Sequence, residues 1–416
     1  MCSSDLNSGA MYFSSAANSG RLTGGNSGTW EGDFVNGGVV TGPIATAGET
    51  GFFHNFGGSN ANSLTTGTSR VSLKWSEPLA TATSDYDLFI LNSAGTSVVA
   101  FSAAVQNGTQ DPFELVSCTA CPFPSGSQVV VVKFNGAARA LRVDTHRGRL
   151  ATATSGSTFG HNGGINTIAV AAVSNPGGVP ISGRKFLATD AVTTYSSDGP
   201  RKLFLNPTPA TTYITPGCAL YSCGGGVSLP KVDIAAADRN VTTTPGFSPF
   251  CGTSAAAPQA AGIAALVKSA FPGISNAEVL TRMRSTAIDI MATAGDRDSG
   301  LGIVMADGAL NAKIVGGGRR DFNADSKSDI LWRGPAGEVA EWQMNGTLLV
   351  SGPVVAGAPL NWIIVGSGDF NGDGKTDVLW RGPGGEVAIW LLNGATLTSG
   401  PLVTVVSPTW TIEIGR

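Results

Sequence analysis

Histidine is nearly missing from this sequence: three occur in 416 residues, at positions 54, 146 and 161. So few imidazoles leave few candidates for a general base near neutral pH, or for a nitrogen-rich metal centre. Charge is scarce as well. Lys and Arg total 26 and Asp and Glu 29, which makes 13% charged residues and a formal net charge of -3. That is about half the usual share, and it lacks the basic footprint that nucleic-acid binding requires. No apolar run approaches the roughly 18 residues of a membrane span. With 42% hydrophobic residues, general disorder is excluded too. Glycine is abundant, 57 residues, roughly twice the usual proportion. Small residues, glycine-rich turns and few charges indicate a secreted β-rich or α/β protein. The length favours two to four domains.

The opening MCSSDL fits nothing that follows, and residues 1–6 read as non-native. Without Cys2, five cysteines remain: Cys118, Cys121, Cys218, Cys223 and Cys251. SCTAC and CALYSC have no second half and no neighbouring histidine, so zinc is a poor reading. Local disulfides are favoured over buried free thiols, with Cys251 left single. That chemistry favours an extracellular home.

From about 21 to 155, β-branched runs alternate with Gly, Asn and Ser turns: RVSLKW (70–75), DYDLFIL (85–91), TSVVAFS (96–102) and SQVVVVKF (127–134). Such spacing predicts an antiparallel β-sandwich. INTIAVAAV and KVDIAAAD look instead like buried strands of a parallel sheet. SAAAPQAAGIAALVKSAF (254–271) is apolar nearly all round and predicts a core helix, with Pro258 in its first turn. SNAEVLTRMRSTA begins with a capping box, Ser275 with Glu278, and a staple of Ile274 on Val279. After a glycine linker at 316–318, DFNADSKSDILWRGPAGEVAEW at 321 recurs as DFNGDGKTDVLWRGPGGEVAIW at 369, a period of 48 (369 minus 321). Trp342 corresponds to Trp390, and Trp362 to Trp410.

The strongest chemical signal is GTSAAAPQAAG, residues 252–262. A serine behind a Gly-Thr turn, opening a helix of small residues, can expose its hydroxyl where the helix N-terminus favours developing negative charge. A plain N-cap is the other reading of such a serine. The whole string resembles the active-serine motif of subtilisin-like serine proteases. That resemblance implies Ser254 as nucleophile, with its backbone N–H as one oxyanion donor. Upstream, AANSG resembles the family's second oxyanion segment. It implies Asn18 as the amide donor, with Ser15, Ala16 and Ala17 lining a wall of the pocket for the residue before the scissile bond. NTIAVAAV (166–173), YSSDGP (195–200), KVDIAAAD (231–238) and DRDSGLGIVMADGAL (296–310) match further family segments in order, Val232 and Ala237 departing from the pattern.

A serine nucleophile needs a base oriented by a carboxylate. In the family both precede the oxyanion asparagine, and nothing before Asn18 supplies them. His54, His146 and His161 all lie downstream and read as turn or surface histidines; His161, just before the IAVAAV strand, is the nearest substitute. The chain is therefore expected to be the carboxyl-terminal portion of a protease, inactive as it stands.

SDYDLFIL resembles the Asp-x-Asp-Leu strand of jelly-roll domains attached to secreted peptidases, and Asp85 and Asp87 there read either as Ca²⁺ ligands or as edge-strand solvation. In the repeat, Asp369, Asn371, Asp373 and Asp377 stand at loop positions 1, 3, 5 and 9, with the Lys375 carbonyl at 7 and Gly374 at the turn. These are hard oxygen donors suited to a structural Ca²⁺. The partner loop offers Asp321, Asn323, Asp325 and Asp329, with Ser326 in place of the turn glycine. Both loops resemble those of FG-GAP/VCBS-type β-propeller repeats, and two copies do not close a propeller.

The expected architecture is thus α/β: a partial subtilisin-like parallel sheet with helices (7–20 and 156–315), an inserted antiparallel sandwich (21–155), and two propeller-type repeats (316–416). The expected function is a secreted, monomeric endopeptidase acting on protein or peptide substrates, with no catalytic cofactor, no nucleic acid and no membrane span. The competing reading is a non-catalytic adhesion or binding protein on a decayed protease fold.

Overall fold

Thr167–Ser174 is buried on both faces, as a central strand of small and β-branched residues requires. In the computed structural model it is flanked by Tyr12–Ser15 and Ile234–Asp238 in a three-stranded sheet. Both pairings are parallel, with Tyr12 opposite Thr167 and Val170 opposite Ile234. The structure describes residues 9–175, 185–206, 212–272, 274–291, 296–312, 320–325, 327–408, 410 and 412. The MCSSDL segment and Ser326 lie outside the described residues. Two units are distinguished, Met1–Asn311 and Ala312–Arg416.

Alternation sends the side chains of the central strand to two cores. Ile168, Val170 and Ala172 meet Ala256, Ala260 and Ala264 of the helix Thr253–Ala270. Ala171 and Val173 meet Ala16, Val192 and Ile303 on the other face. Alanine at every fourth helical position lets the helix axis approach the sheet closely. Two expectations about this helix need correction. Pro258 falls in the second turn, so the Ser254 carbonyl has no helical N–H to accept. The helix is also not buried all round: Gln259, Gly262 and Ala265 are exposed, and Leu266 is 53% exposed. The next helix, Asn276–Ser285, carries the capping box. Ser275 Oγ accepts from the Glu278 N–H, and Glu278 accepts from the Ser275 N–H at 2.9 Å. Ile274 and Val279 share one apolar cluster.

Between the first two parallel strands the chain forms antiparallel sheets. One sheet contains Gln128–Asn135 paired with Asp85–Leu91, Asn62–Thr66 and Phe52–His54. The other orders Thr29–Asp33, Ala140–Asp144, Arg70–Trp75 and Phe113–Ser117. Leu64, Leu88, Ile90, Val129 and Val131 of the first pack with Val71, Leu73, Trp75, Leu141 and Val143 of the second. Asp85–Leu91 is paired on both sides, with Gln128–Asn135 and Val98–Ser102. It is an interior strand, which overturns edge solvation as the account of Asp85 and Asp87; both are buried. Cys118 is bonded to Cys121 and Cys218 to Cys223, and Cys251 is free and exposed.

In the second unit each copy of the repeat forms an antiparallel sheet. The first orders Ile330–Arg333, Glu338–Asn345 and Leu348–Ser351, with Val354–Gly357 also on Glu338–Asn345. The second orders Ile363–Gly368, Asp377–Arg381, Glu386–Asn393 and Thr396–Ser399, with Leu402–Val405 on Glu386–Asn393. Their shared core holds Phe322, Val339, Val378, Trp380 and Leu392. The loop before the first sheet is tied to the second copy: the Thr376 N–H donates to Asp321 and the Gly394 N–H to Phe322. Each copy thereby buries a face that it cannot bury alone.

Candidate active site

The segment after the strand Tyr12–Ser15 is held along its length. The Ala16 N–H donates to Val170, and the Ser197 N–H donates to the Ala17 carbonyl. Ser197 Oγ accepts from the Ser19 N–H at 2.9 Å. Ala17 sits at φ 84°, a left-handed conformation that turns the chain out of the strand and aims Asn18 at the helix Thr253–Ala270. There Asn18 Oδ1 accepts from the Thr253 N–H at 3.1 Å and from Thr253 Oγ1 at 2.9 Å. Both bonds use the carbonyl oxygen, so the Asn18 Nδ2 donors face away from Thr253 and have no acceptor among the described residues.

Gly252 makes this approach possible. Its φ of 118° is closed to other residues, and a Cβ there would stand 3.2 Å from Asn18 Nδ2. Ser254 follows as the second helical residue and is exposed. Its N–H is one of the unpaired donors of a helix N-terminus. A serine hydroxyl, a helix N–H and an amide N–H therefore gather at one end of the sheet.

Beneath them lies a network that sequence inspection missed. Asp238, at the end of the third parallel strand, is fully buried and accepts from the Gly252 N–H at 2.7 Å and the Arg239 N–H at 2.6 Å. Tyr195 donates its hydroxyl to the second carboxylate oxygen. Burial and that carboxylate push the Tyr195 phenol up to about 12. The only local signal was an Asp closing an apolar AAAD strand. Asn18, Tyr195, Cys251 and Gly252 line an open cleft of 380 Å³, and Arg147, from the antiparallel module, forms the rest of its wall.

The remaining sequence-nominated residues divide. Ser15 and Ala17 are partly exposed, but Ala16 is fully buried among Ala171, Val173 and Val192. Strand alternation turns its side chain to the core, so only its backbone can share a wall with Ser15 and Ala17. None of the histidines hydrogen-bonds Ser254, whose hydroxyl has no base within reach among the described residues. His54 is fully buried between Trp30 and Phe56, and burial lowers it to about 4. It is no surface histidine. His146 Nε2 is 2.9 Å from Ser72 Oγ, and burial lowers its pKa. His161 occupies the short helical turn Gly160–Gly163, its ring 6.0 Å from Tyr12.

In the second unit, Asp369 Oδ1 accepts from the Gly372 and Asp373 N–H groups, Oδ2 from Gly374, and Asn371 Oδ1 from Asp373. In the first copy Asp321, Asn323 and Asp325 repeat much of that pattern. Asp329 and Asp377 differ: each uses both oxygens on backbone N–H groups, of Phe322 and Met344 and of Phe370 and Leu392. They anchor the loop to its sheet. Among the described residues, no three His, Cys, Asp or Glu side chains are arranged to hold a metal ion. No described helix is long and apolar enough to cross a membrane.

Against this geometry, a family model described as the subtilase family matches residues 61–318, and one described as an FG-GAP-like repeat matches 321–380. The halolysin-like extracellular serine protease Nep of Natrialba magadii is 38% identical over 84 residues, which is 20% of this chain and 15% of that protein. An extracellular protease of Xanthomonas campestris pv. campestris is 38% identical over 100 residues, 23% of this chain and 17% of that protein. The chain thus matches less than a fifth of the length of either relative. The Clostridium perfringens CspB protease aligns at 14% identity with a TM-score of 0.33, over 71% of this chain and 57% of that one.

Proposed function

Because the subtilase match covers more than half of its length, the chain belongs to the subtilase family, and from that membership we propose that it carries the nucleophile and oxyanion side of a secreted serine endopeptidase. Ser254 Oγ attacks the scissile carbonyl, and the acyl-enzyme forms on that oxygen as the peptide C–N bond breaks and the amine leaves, the serine proton passing through solvent to the departing nitrogen. The Ser254 N–H and Asn18 Nδ2 receive the oxyanion, and Ser15, Ala17 and the Ala16 backbone border the residue before the scissile bond. The observation that supports this most is the Asn18 amide: both of its bonds to Thr253 run through Oδ1. The donors are thereby left for a tetrahedral oxygen and need no reorganisation when charge develops.

Among the described residues neither a base nor an orienting carboxylate stands with Ser254, and in this reading the described residues alone give slow peptide hydrolysis. The same gap is the ground for the second reading, a binding protein on a decayed protease fold. In this reading the modules are catalytic elements at 7–20 and 156–315, an inserted sandwich at 21–155, and propeller-type repeats at 316–416. Secretion fits the two disulfides and the extracellular relatives. Asp369, Asn371 and Asp373, with the Lys375 carbonyl, are the donors for a structural Ca²⁺, as are Asp321, Asn323 and Asp325 in the first copy; Asp329 and Asp377 hold those loops in place. The test is a fluorophosphonate probe followed by peptide mass mapping. A slow adduct on Ser254 that disappears in Ser254→Ala supports the protease reading, and no adduct on Ser254 favours the binding protein.

A further inference from the structure

The cleft wall contains one residue that the catalytic reading leaves unused. Arg147 comes from the loop after Ala140–Asp144, more than a hundred positions from Asn18 or Cys251 in sequence, yet it lines the cleft with them. It is exposed, and its guanidinium makes no ion pair or hydrogen bond among the described residues. The backbone that presents it is costly. His146 has φ 46° and Arg147 φ 93°, two successive non-glycine residues in the left-handed region. Such conformations are strained and persist only where the surroundings over-determine them.

Those surroundings are visible. The Thr145 N–H donates to Gly28 and the Gly148 N–H to Thr145. Thr68 Oγ1 donates to the Thr145 carbonyl at 2.6 Å, and the His146 N–H donates to Asp144 Oδ1 at 2.9 Å. The His146 ring is fixed by Ser72 Oγ and lies 6.0 Å from Phe159. Every neighbour of Arg147 is pinned while its own head group is free. A strained, rigid loop that ends in a cation unpaired among the described residues, in the cleft that Asn18 lines, is suited to reading a charge on an incoming chain.

We infer that Arg147 is a specificity-determining residue, which selects peptides carrying a carboxylate next to the scissile bond; the inference rests on the peptide-cleft reading of Ser254 and Asn18. The carboxylate can belong to an Asp or Glu side chain or to a chain end. The experiment uses the 416-residue chain, immobilised and exposed to randomised peptide pools prepared as free acids and as amides, with bound sequences read by mass spectrometry. The expected result is a 2- to 5-fold enrichment of Asp and Glu at one position, the size typical of an exposed ion pair. If only the free acids are enriched, and at their last residue, the carboxylate is the chain end.

Arg147→Ala should abolish the preference, Arg147→Lys keep part of it, and Arg147→Glu transfer it to Lys and Arg at the same position. Arg147→Gly supplies the control for a purely structural role. Glycine accepts φ 93° freely, so this variant should melt higher while losing the preference. Retained peptides without acidic preference, or the same preference in Arg147→Ala, overturn the inference and leave the protease reading standing. Failure of the chain to retain any peptide overturns both.

Discussion

Replacing Asn18 by Asp or by Ala separates its two proposed tasks. In the structure Oδ1 accepts two bonds from Thr253, and Nδ2 is left for the oxyanion. Asn18→Asp keeps an acceptor toward Thr253 and adds a negative charge at the helix N-terminus, worth about 0.3–1 kcal/mol. Asn18→Ala loses both bonds, at about 0.5–1.5 kcal/mol each, so about 1–3 kcal/mol in all. Urea unfolding should therefore place Asp level with or above the parent, and Ala below it. Phosphonylation of Ser254 should fall in both, because Asp presents oxygen where the donor stood. The expected loss is about 10²–10³, the effect of removing the oxyanion asparagine of a subtilisin. An Asp variant that reacts at the parental rate refutes the oxyanion role. An Ala variant of parental stability refutes the bonding to Thr253.

Other outcomes follow from the same structure. Gly252→Ala sets a methyl 3.2 Å from Asn18 Nδ2 at φ 118°, so melting temperature and Ser254 labelling should drop together; normal labelling would show that the amide approaches elsewhere. His54, lowered to about 4 by burial, stays neutral in the fold while the unfolded chain protonates below about 6.5. Stability should fall between pH 6.5 and 4, by about 3 kcal/mol in total, and a His54→Phe variant that keeps the same slope contradicts this. Asp87, raised to about 8 by burial and by Glu49, Asp85 and Glu114, acts in the opposite sense. Its contribution is complete below about pH 4 and is lost as pH rises toward 8, so Asp87→Asn should flatten that fall in thermal melts. For the repeat loops, Ca²⁺ should raise the melting temperature and a chelator lower it, with Asp373→Asn reducing the difference; equal midpoints remove the calcium assignment.

Most elements were legible because local patterns coincide with tertiary burial. RVSLKW and DYDLFIL became Arg70–Trp75 and Asp85–Leu91 without change, since each alternates or fills a buried strand between turn residues. The Ser275 capping box was readable because both of its bonds lie within four residues. The site was legible only in part. Ser254 and Asn18 stand in recognisable strings, but the orientation of the Asn18 amide depends on Thr253, 235 positions away. Asp238 looked like the end of an apolar strand until Gly252 and Tyr195 were seen on it. Nothing in THRG announces two positive φ values, because the constraints come from Gly28, Thr68 and Ser72, distant in sequence. His54 looked like a turn residue because its aromatic enclosure is assembled from Trp30 and Phe34 on a different part of the chain.

The central proposal is that Ser254 is the nucleophile and Asn18 an oxyanion donor, with no base for Ser254 among the described residues. It is tested most directly by the dependence of Ser254 phosphonylation on added imidazole, a free substitute for the missing side chain. The account predicts a slow adduct that accelerates in proportion to imidazole and vanishes in Ser254→Ala. Rapid labelling that ignores imidazole would contradict it, for a base would then already stand beside Ser254.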